Sequence, residues 1–451
     1  MSKIDLSIPI WGEQMGKSAF RKQLSAPGLY RLVRESFSQL EPESSRFQIS
    51  QTDCLMSGLA VFALKYPSLL QFDQQYHEES CVRHNLRTLF GVLQAPCDTR
   101  LRERLDEIDP QGLRIAFRRL WGALQRGKGL EGLEYLEGHY LLSIDGTGYF
   151  SSSQVHCDHC LQRHHRDGGI TYSHQMLGAV VVHPDSSEVF SLAPEPIIKS
   201  DGSKKNDCER NASKRLLSTI KREHPHLKLI VIEDGLSSNG PHIRLLKSLN
   251  YRFILGAKES DHRFLFDWVK QTSTTRQVKI KTESGIHYQF RYLNGVPLND
   301  THFDVEVNFL EVVETTAKGK TRRFSWVTDI ELTDANVMTV MRGGRARWKI
   351  ENETFNTLKT QGYHFEHNYG HGHHHLSTVL AYLMMLAFLI DQIQQRCCQV
   401  FRQAKEKKKS KRALWEWYRS LFFNYELTGW DMMLGALAYG FSSTMVVNDT
   451  S

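Results

Sequence analysis

Two apolar runs, each ending on an acid–glycine pair, constrain this chain more than any other feature. Tyr140–Ile144 (YLLSI) stops at Asp145-Gly146, and Leu227–Glu233 (LKLIVIE) stops at Asp234-Gly235. Short unbroken apolar runs bounded by turn residues predict strands buried on both faces. Tyr172–His183 and Glu188–Leu192 are further strands around a Pro-Asp-Ser-Ser turn. Asp207–Glu223 and Pro241–Leu249 carry helical patterns, and Tyr251–Ala257 another strand. The order is three strands, helix, strand, helix, strand. That order predicts an α/β fold: a mixed sheet flanked by helices.

The flanking sequence has a different texture. Residues 1–135 read as a helical region, with a capped apolar stretch at Thr52–Leu70 and amphipathic stretches at Val82–Leu93 and Gly112–Leu124. The sheet-forming core opens over 136–262. Residues 263–332 form a β-rich insertion, because QVKIKTES, HYQFRYL, HFDVEVNFLEVVET and RRFSWVTDIEL alternate apolar and polar residues between turns. The second part of the core occupies 333–395, and a basic, aromatic helical tail occupies 396–451.

Composition narrows the class. The 451 residues are 40% hydrophobic and 24% charged, an ordinary globular balance. The net charge of +7 is compatible with a polyanionic partner without requiring one. The first residues lack the basic-then-apolar pattern of a signal peptide. Thr378–Ile390, the most apolar run, is too short to span a bilayer and reads as a buried helix. Eight scattered cysteines do not make a disulfide framework. A cytoplasmic protein with no membrane association is expected.

Carboxylates at the mouths of buried strands are costly unless a cation meets them. Hard oxygen donors suit Mg²⁺ or Mn²⁺, and two such ions can clamp the attacking and leaving oxygens of a phosphoryl displacement. A third acid lies in the segment RARWKIENETFNTLK, where Arg347 and Glu351 are four apart on a helix and are expected to pair. Taken singly, each element also has a plain reading, as a turn or an exposed ion pair.

Taken in order, SIDGTGYFSS, IEDGLSSNGPHI and RARWKIENETFNTLK resemble the catalytic segments of bacterial insertion-sequence DDE transposases. The likeness covers roughly residues 135–395. It is nearest to the branch with a Tyr-x-x-Arg-x-x-x-Glu-x-x-x-x-x-x-Lys signature and a β-rich insertion before the Glu-bearing helix. The resemblance implies an RNase H-like sheet, with Asp145, Asp234 and Glu351 as ligands of two Mg²⁺ or Mn²⁺ ions. It implies that Arg347 contacts phosphate near the cleavage site, with Arg345 and Lys359 as further DNA-binding candidates. Metal-activated water would cut a strand at each element end, and the freed 3′-hydroxyl would then attack. Partners would be double-stranded DNA and a second copy of the chain. Two departures stand out: the signature Tyr falls at Gly344, and the signature Lys at Leu358, one before Lys359. Glu353 competes with Glu351 as third ligand. A nuclease that cuts without joining, or an inactive DNA-binding descendant, shares most of these features.

Histidines gather in two windows. The first, His156-Cys157-Asp158-His159-Cys160 with His164 and His165 beyond, contains a Cys-x-x-Cys compatible with structural zinc on Cys157, Cys160 and His164. The second runs from His364 to His375. Lys405–Arg412 has the composition of a phosphate-contacting patch or of a solvated charge run, and Trp326 that of a core or base-stacking residue.

Overall fold

The computed structural model describes residues 23–42, 48–198 and 209–440. The first residues of the chain, Cys208 and the start of the expected Asp207–Glu223 helix lie outside them. The chain divides into two units, Met1–Leu130 with Leu358–Ser451, and Glu131–Thr357. The second unit carries the sheet and the first is helical.

The sheet comprises β1 (Tyr140–Ser152), β2 (Leu161–His164), β3 (Ile170–Val182), β4 (Phe190–Ser191), β5 (Glu195–Ile197), β6 (Leu229–Glu233), β7 (Arg252–Gly256), β8 (Arg276–Lys281), β9 (His287–Pro297), β10 (Glu306–Thr315) and β11 (Thr321–Thr328). Their order is β2-β3-β1-β6-β7-β11-β10-β9-β8, with β4 and β5 also on β3. β1 runs antiparallel to β3 and parallel to β6, and β6 parallel to β7. The expected α/β class with a mixed sheet is therefore present.

Two expectations change. β1 does not stop at Ile144 but continues through Asp145 to Ser152, because β3 pairs with it along that whole length. The ladder slips only between Gly148 and Phe150. The insertion, read as a region of its own, joins the core sheet. β11 pairs with β7 through Val327↔Leu255, so β8–β11 extend the core sheet, preceded by a helix at Arg263–Gln271.

In the helical unit the expected Thr52–Leu70 helix is broken. Gln51–Ala63 ends where Lys65 takes φ 58°, and Leu69–Glu78 starts afresh with Ser68 capping Gln71 N. The apolar run Thr378–Ile390 lies within a 22-residue helix at Leu376–Cys397. By length and composition it could cross a membrane, but its most apolar window is 94% buried, so it serves as the unit's core. It packs against Gln51–Ala63 and Asp98–Asp106; Gly58 permits this, since a Cβ there would lie 2.8 Å from Leu383 Cδ1. Chain beyond Leu358 thus joins the N-terminal helices, where 333–395 was expected to stay with the sheet. Its apolar helix is clad on all sides and needs partners that only other helices supply.

Much of the arginine-rich surface is spoken for within this unit. Arg102 binds Asp98 and the Tyr369 carbonyl, Arg119 binds Glu35, and Arg104 is buried. In the Lys405–Arg412 run, Lys408 lies 3.6 Å from the Trp417 ring centroid and Arg412 pairs with Glu416.

The His-rich loop has a structural anchor. The Asp106 carboxylate accepts backbone N–H bonds from His373, His374, His375 and Leu376 at 2.8–3.0 Å. It thereby caps the Leu376–Cys397 helix from outside that helix. Gly372 (φ 73°) makes the approach possible, as a Cβ there would meet Asp106 Oδ1 at 2.2 Å. Burial alone would raise the Asp106 pKa; the four N–H donors outweigh it and hold it below the usual value. A depressed folded pKa contributes stability above the unfolded value near ~4, and that contribution is lost as pH falls through the folded one. Asp106→Ala is expected to cost about 2 kcal/mol at neutral pH. In urea titrations the gap from wild type should narrow at acid pH; a gap independent of pH would refute the charged-anchor account.

Candidate functional site

Register places Asp145, inside β1, beside Asp234, just past β6. β1 and β6 pair from Tyr140↔Leu229 to Ser143↔Ile232, and the same offset carried two residues further sets Asp145 level with Asp234. β6 ends before Asp234, whose Oδ1 accepts from Leu236 N at 3.0 Å and caps a short turn. Gly256 on β7 leaves room for that turn, since a Cβ would come within 3.2 Å of Gly235 N.

A helical segment crosses the sheet beside Asp145. It comprises a helix at Val337–Arg345 and a wider π turn at Ile350–Phe355. Gly178, opposite Asp145 on β3, lets it come close: a Cβ there would meet Phe355 Cζ at 3.0 Å and Ile350 Cδ1 at 3.4 Å. Ser143 Oγ donates to the Arg347 carbonyl at 3.0 Å, and Lys349 Nζ to the Ser186 carbonyl at 2.7 Å. Arg347 Nη1 donates to Asp145 Oδ2 at 2.9 Å, with its guanidinium 4.6 Å from the Trp348 ring centroid.

Arg347 therefore pairs with Asp145, not with Glu351 as expected. The Asp145 side chain is 30% exposed and the Arg347 side chain 15%, whereas Glu351 is exposed. A charge pair shielded from water is favoured over one fully in it. The π turn also disturbs the i,i+4 spacing on which the expected pair depended. Glu351 lies next to buried Ile350 on the solvent side of the turn, and Glu353 is half-buried there. Asp145, Asp234 and Glu351 do not have all three donor atoms within 4.8 Å of one another. The first two are brought together, and the third is carried on the element that binds the first.

The other basic candidates point elsewhere. Arg345 pairs with Glu314 on β10 and lies 4.8 Å from the Phe324 ring centroid. Lys359 belongs to the helical unit and pairs there with Glu366. Trp326 is buried, as a core residue is, and its ring leaves no room for a side chain at position 344. A Cβ on Gly344 would lie 2.5 Å from Trp326 Nε1. Gly344→Tyr should therefore overpack the site and cost about 1–3 kcal/mol, read as a lowered melting temperature. A variant that melts with wild type would show that the Trp326 ring moves aside freely.

Two acids were not foreseen. Glu209 opens the helix Glu209–Glu223, and a Cβ on Gly146 would lie 2.4 Å from its Oε1. Glu233, the last residue of β6, is buried; its carboxylate meets His242 Nε2 at 2.6 Å and accepts from Ser213 Oγ at 3.3 Å. The Glu209 pKa is raised by partial burial and then by the charges of Asp145, Asp234 and Glu233. That of Asp145 is raised by burial and by Asp234, with Arg347 opposing. Burial disfavours the His242 imidazolium, but Glu233 outweighs it, so the His242 pKa is raised. Carboxylates thus crowd the end of β6 and the middle of β1 beside it, and cationic groups answer two of them. No sequence pattern marks Glu209; its place depends on how the helix meets β1.

A second cluster lies in the loop after β1. Cys157 and Cys160 Sγ are 3.9 Å apart, and His174 Nε2 is 3.5 Å from the first and 3.4 Å from the second. These three side chains belong to a group that could hold a metal ion. His164 does not belong to it. It is exposed at the far end of β2, opposite Ile170, while His174 on β3 lies beside Ser173, the partner of Leu161.

No protein-family model and no curated protein sequence matches the chain.

Proposed function

We propose that this chain is a DDE-type transposase. It would cut double-stranded DNA at the ends of an insertion sequence and join the 3′-hydroxyl to target DNA, acting as a dimer on DNA in the cytoplasm. The observation that carries the reading is the placement of Asp145 on β1 level with Asp234 just past the end of β6, with Arg347 reaching Asp145 from the segment that bears Glu351. Strand order supports an RNase H-like sheet: an antiparallel β1–β3 with β4 and β5 on β3, then β6 and β7 parallel to β1 with helices between.

The donors fit Mg²⁺ or Mn²⁺. They are carboxylates, and mutual repulsion together with burial raises the pKa of Asp145 and Glu209, which is a demand for positive charge at that point. Two such ions, when bound to Asp145, Asp234 and Glu351, would supply an activated water and neutralise charge on the phosphate. Arg347 holds Asp145 in place and presents its remaining N–H donors to a phosphate. Ser143 and Lys349 fix the backbone from which Arg347 and Glu351 project. A structural Zn²⁺ at Cys157 and Cys160 belongs to the same reading.

The test is incubation of the purified protein with a supercoiled plasmid carrying its gene and native flanks, with Mg²⁺ or Mn²⁺. Cuts at the element borders followed by joined products are expected. Cuts without joining would make the chain a nuclease, and binding without cutting would make it a DNA-binding protein.

A further inference from the structure

We infer that one Zn²⁺ is held by Cys157, Cys160 and His174, and that it ties the loop after β1 to β3. The inference rests on the zinc reading above but not on DNA cleavage.

Distances carry the argument. Tetrahedral zinc with Zn–S of about 2.3 Å and Zn–N of about 2.0–2.1 Å separates two sulfurs by about 3.8 Å and sulfur from nitrogen by about 3.5–3.6 Å. The structure has 3.9 Å between sulfurs, and 3.5 and 3.4 Å from them to Nε2. No disulfide joins the two cysteines, whose sulfurs stand at nearly twice the length of an S–S bond. Both thiols close on the same ring nitrogen and on each other, as ligands of one ion do. Nε2 of a neutral imidazole has a single lone pair, enough for one thiol donor and not two. A cation between all three satisfies every donor.

The protein builds the site around that point. Cys160 N donates to the Cys157 carbonyl at 3.2 Å, and Cys157 N approaches Cys160 Sγ at 3.5 Å, the turn a Cys-x-x-Cys makes around a metal. His174 is 2% exposed, with the Tyr149 and Phe150 rings each centred 5.8 Å from its own. Zn²⁺ would enter with loss of two thiol protons to solvent, and the charge of −2 on the two thiolates, beside a neutral imidazole, would balance that of the ion.

Position gives the ion its role. His174 pairs with Phe150 on β1, just past the slip at Gly148, and its neighbour Ser173 pairs with Leu161 on β2. The zinc therefore closes the excursion between β1 and β2 onto the strand that separates them. It secures the far end of the strand carrying Asp145, about five residues away, and takes no part in chemistry at the carboxylates.

The test measures zinc in the purified full chain by plasma mass spectrometry, with cobalt substitution to show thiolate-to-metal absorption. Wild type and His164→Ala are expected to hold one equivalent each, and Cys160→Ser and His174→Ala to lose it. Should the variants fail to fold, wild type stripped by chelator and refilled with Co²⁺ must regain the thiolate absorption. Zinc-free wild type, retention by His174→Ala, loss by His164→Ala or cobalt uptake without thiolate absorption would each overturn the assignment. None of these readouts involves DNA, so failure of the transposase reading leaves the zinc result intact, and the reverse.

Discussion

Asp145→Asn should reduce Mg²⁺-dependent DNA cleavage by at least about a thousandfold while leaving DNA binding nearly unchanged. The substitution keeps the shape of the side chain and removes its charge. Asn cannot serve as a hard anionic ligand, so the cation demanded by the carboxylates would lose its best-placed donor. Arg347 would lose its charged partner but keep a hydrogen-bonding one, and its side chain, 15% exposed, can still reach solvent. The fold should therefore persist, with a stability loss of about 1 kcal/mol. A border-cleavage assay paired with a mobility-shift assay reads both quantities. Cleavage that survives in the Asn variant would remove Asp145 from the site.

The largest stability effect is expected in the helical unit, from Asp391→Asn, at about 3–5 kcal/mol. Lys65 is fully buried and donates to Asp391 Oδ2 at 2.7 Å. Its ammonium lies 3.8 Å from the Tyr363 ring centroid and 4.3 Å from that of Trp415, and the Tyr363 hydroxyl donates to the same carboxylate. Burial depresses the Lys65 pKa, and Asp391 is the main group opposing that. Without the carboxylate, an ammonium would remain among aromatic rings with too little to offset its lost hydration. Removing both charges, as in Lys65→Met with Asp391→Leu, should recover most of the loss, because an apolar pair of similar size packs without that penalty. Chemical denaturation of the two single variants and the double variant measures this. An Asp391→Asn variant within 1 kcal/mol of wild type would show that the pair is not the constraint its burial implies.

Local sequence carried much of what the structure contains. The short apolar runs became parts of β1 and β6, buried on both faces, and the alternating segments became β8–β11. Acid–glycine ends marked Asp145 and Asp234, and a Cys-x-x-Cys marked two of the thiol–imidazole group. These are signals of short range, written in neighbouring residues.

What remained depended on which distant segments meet. The partner of Arg347 turned on how deeply Asp145 is shielded, which an i,i+4 rule cannot contain. His174 displaced His164 because strand register, not proximity along the chain, brings its ring to the thiols. Glu209 joined the carboxylates through the docking of its helix on Gly146, and the Trp326 ring fills the space beside Gly344. The residues after Leu358 returned to the N-terminal helices because an all-round apolar helix must be covered from every side. Residue pattern sets the elements, since each is stabilised by its own periodicity; tertiary packing sets the pairings, since charge, register and shape act between residues far apart in the chain.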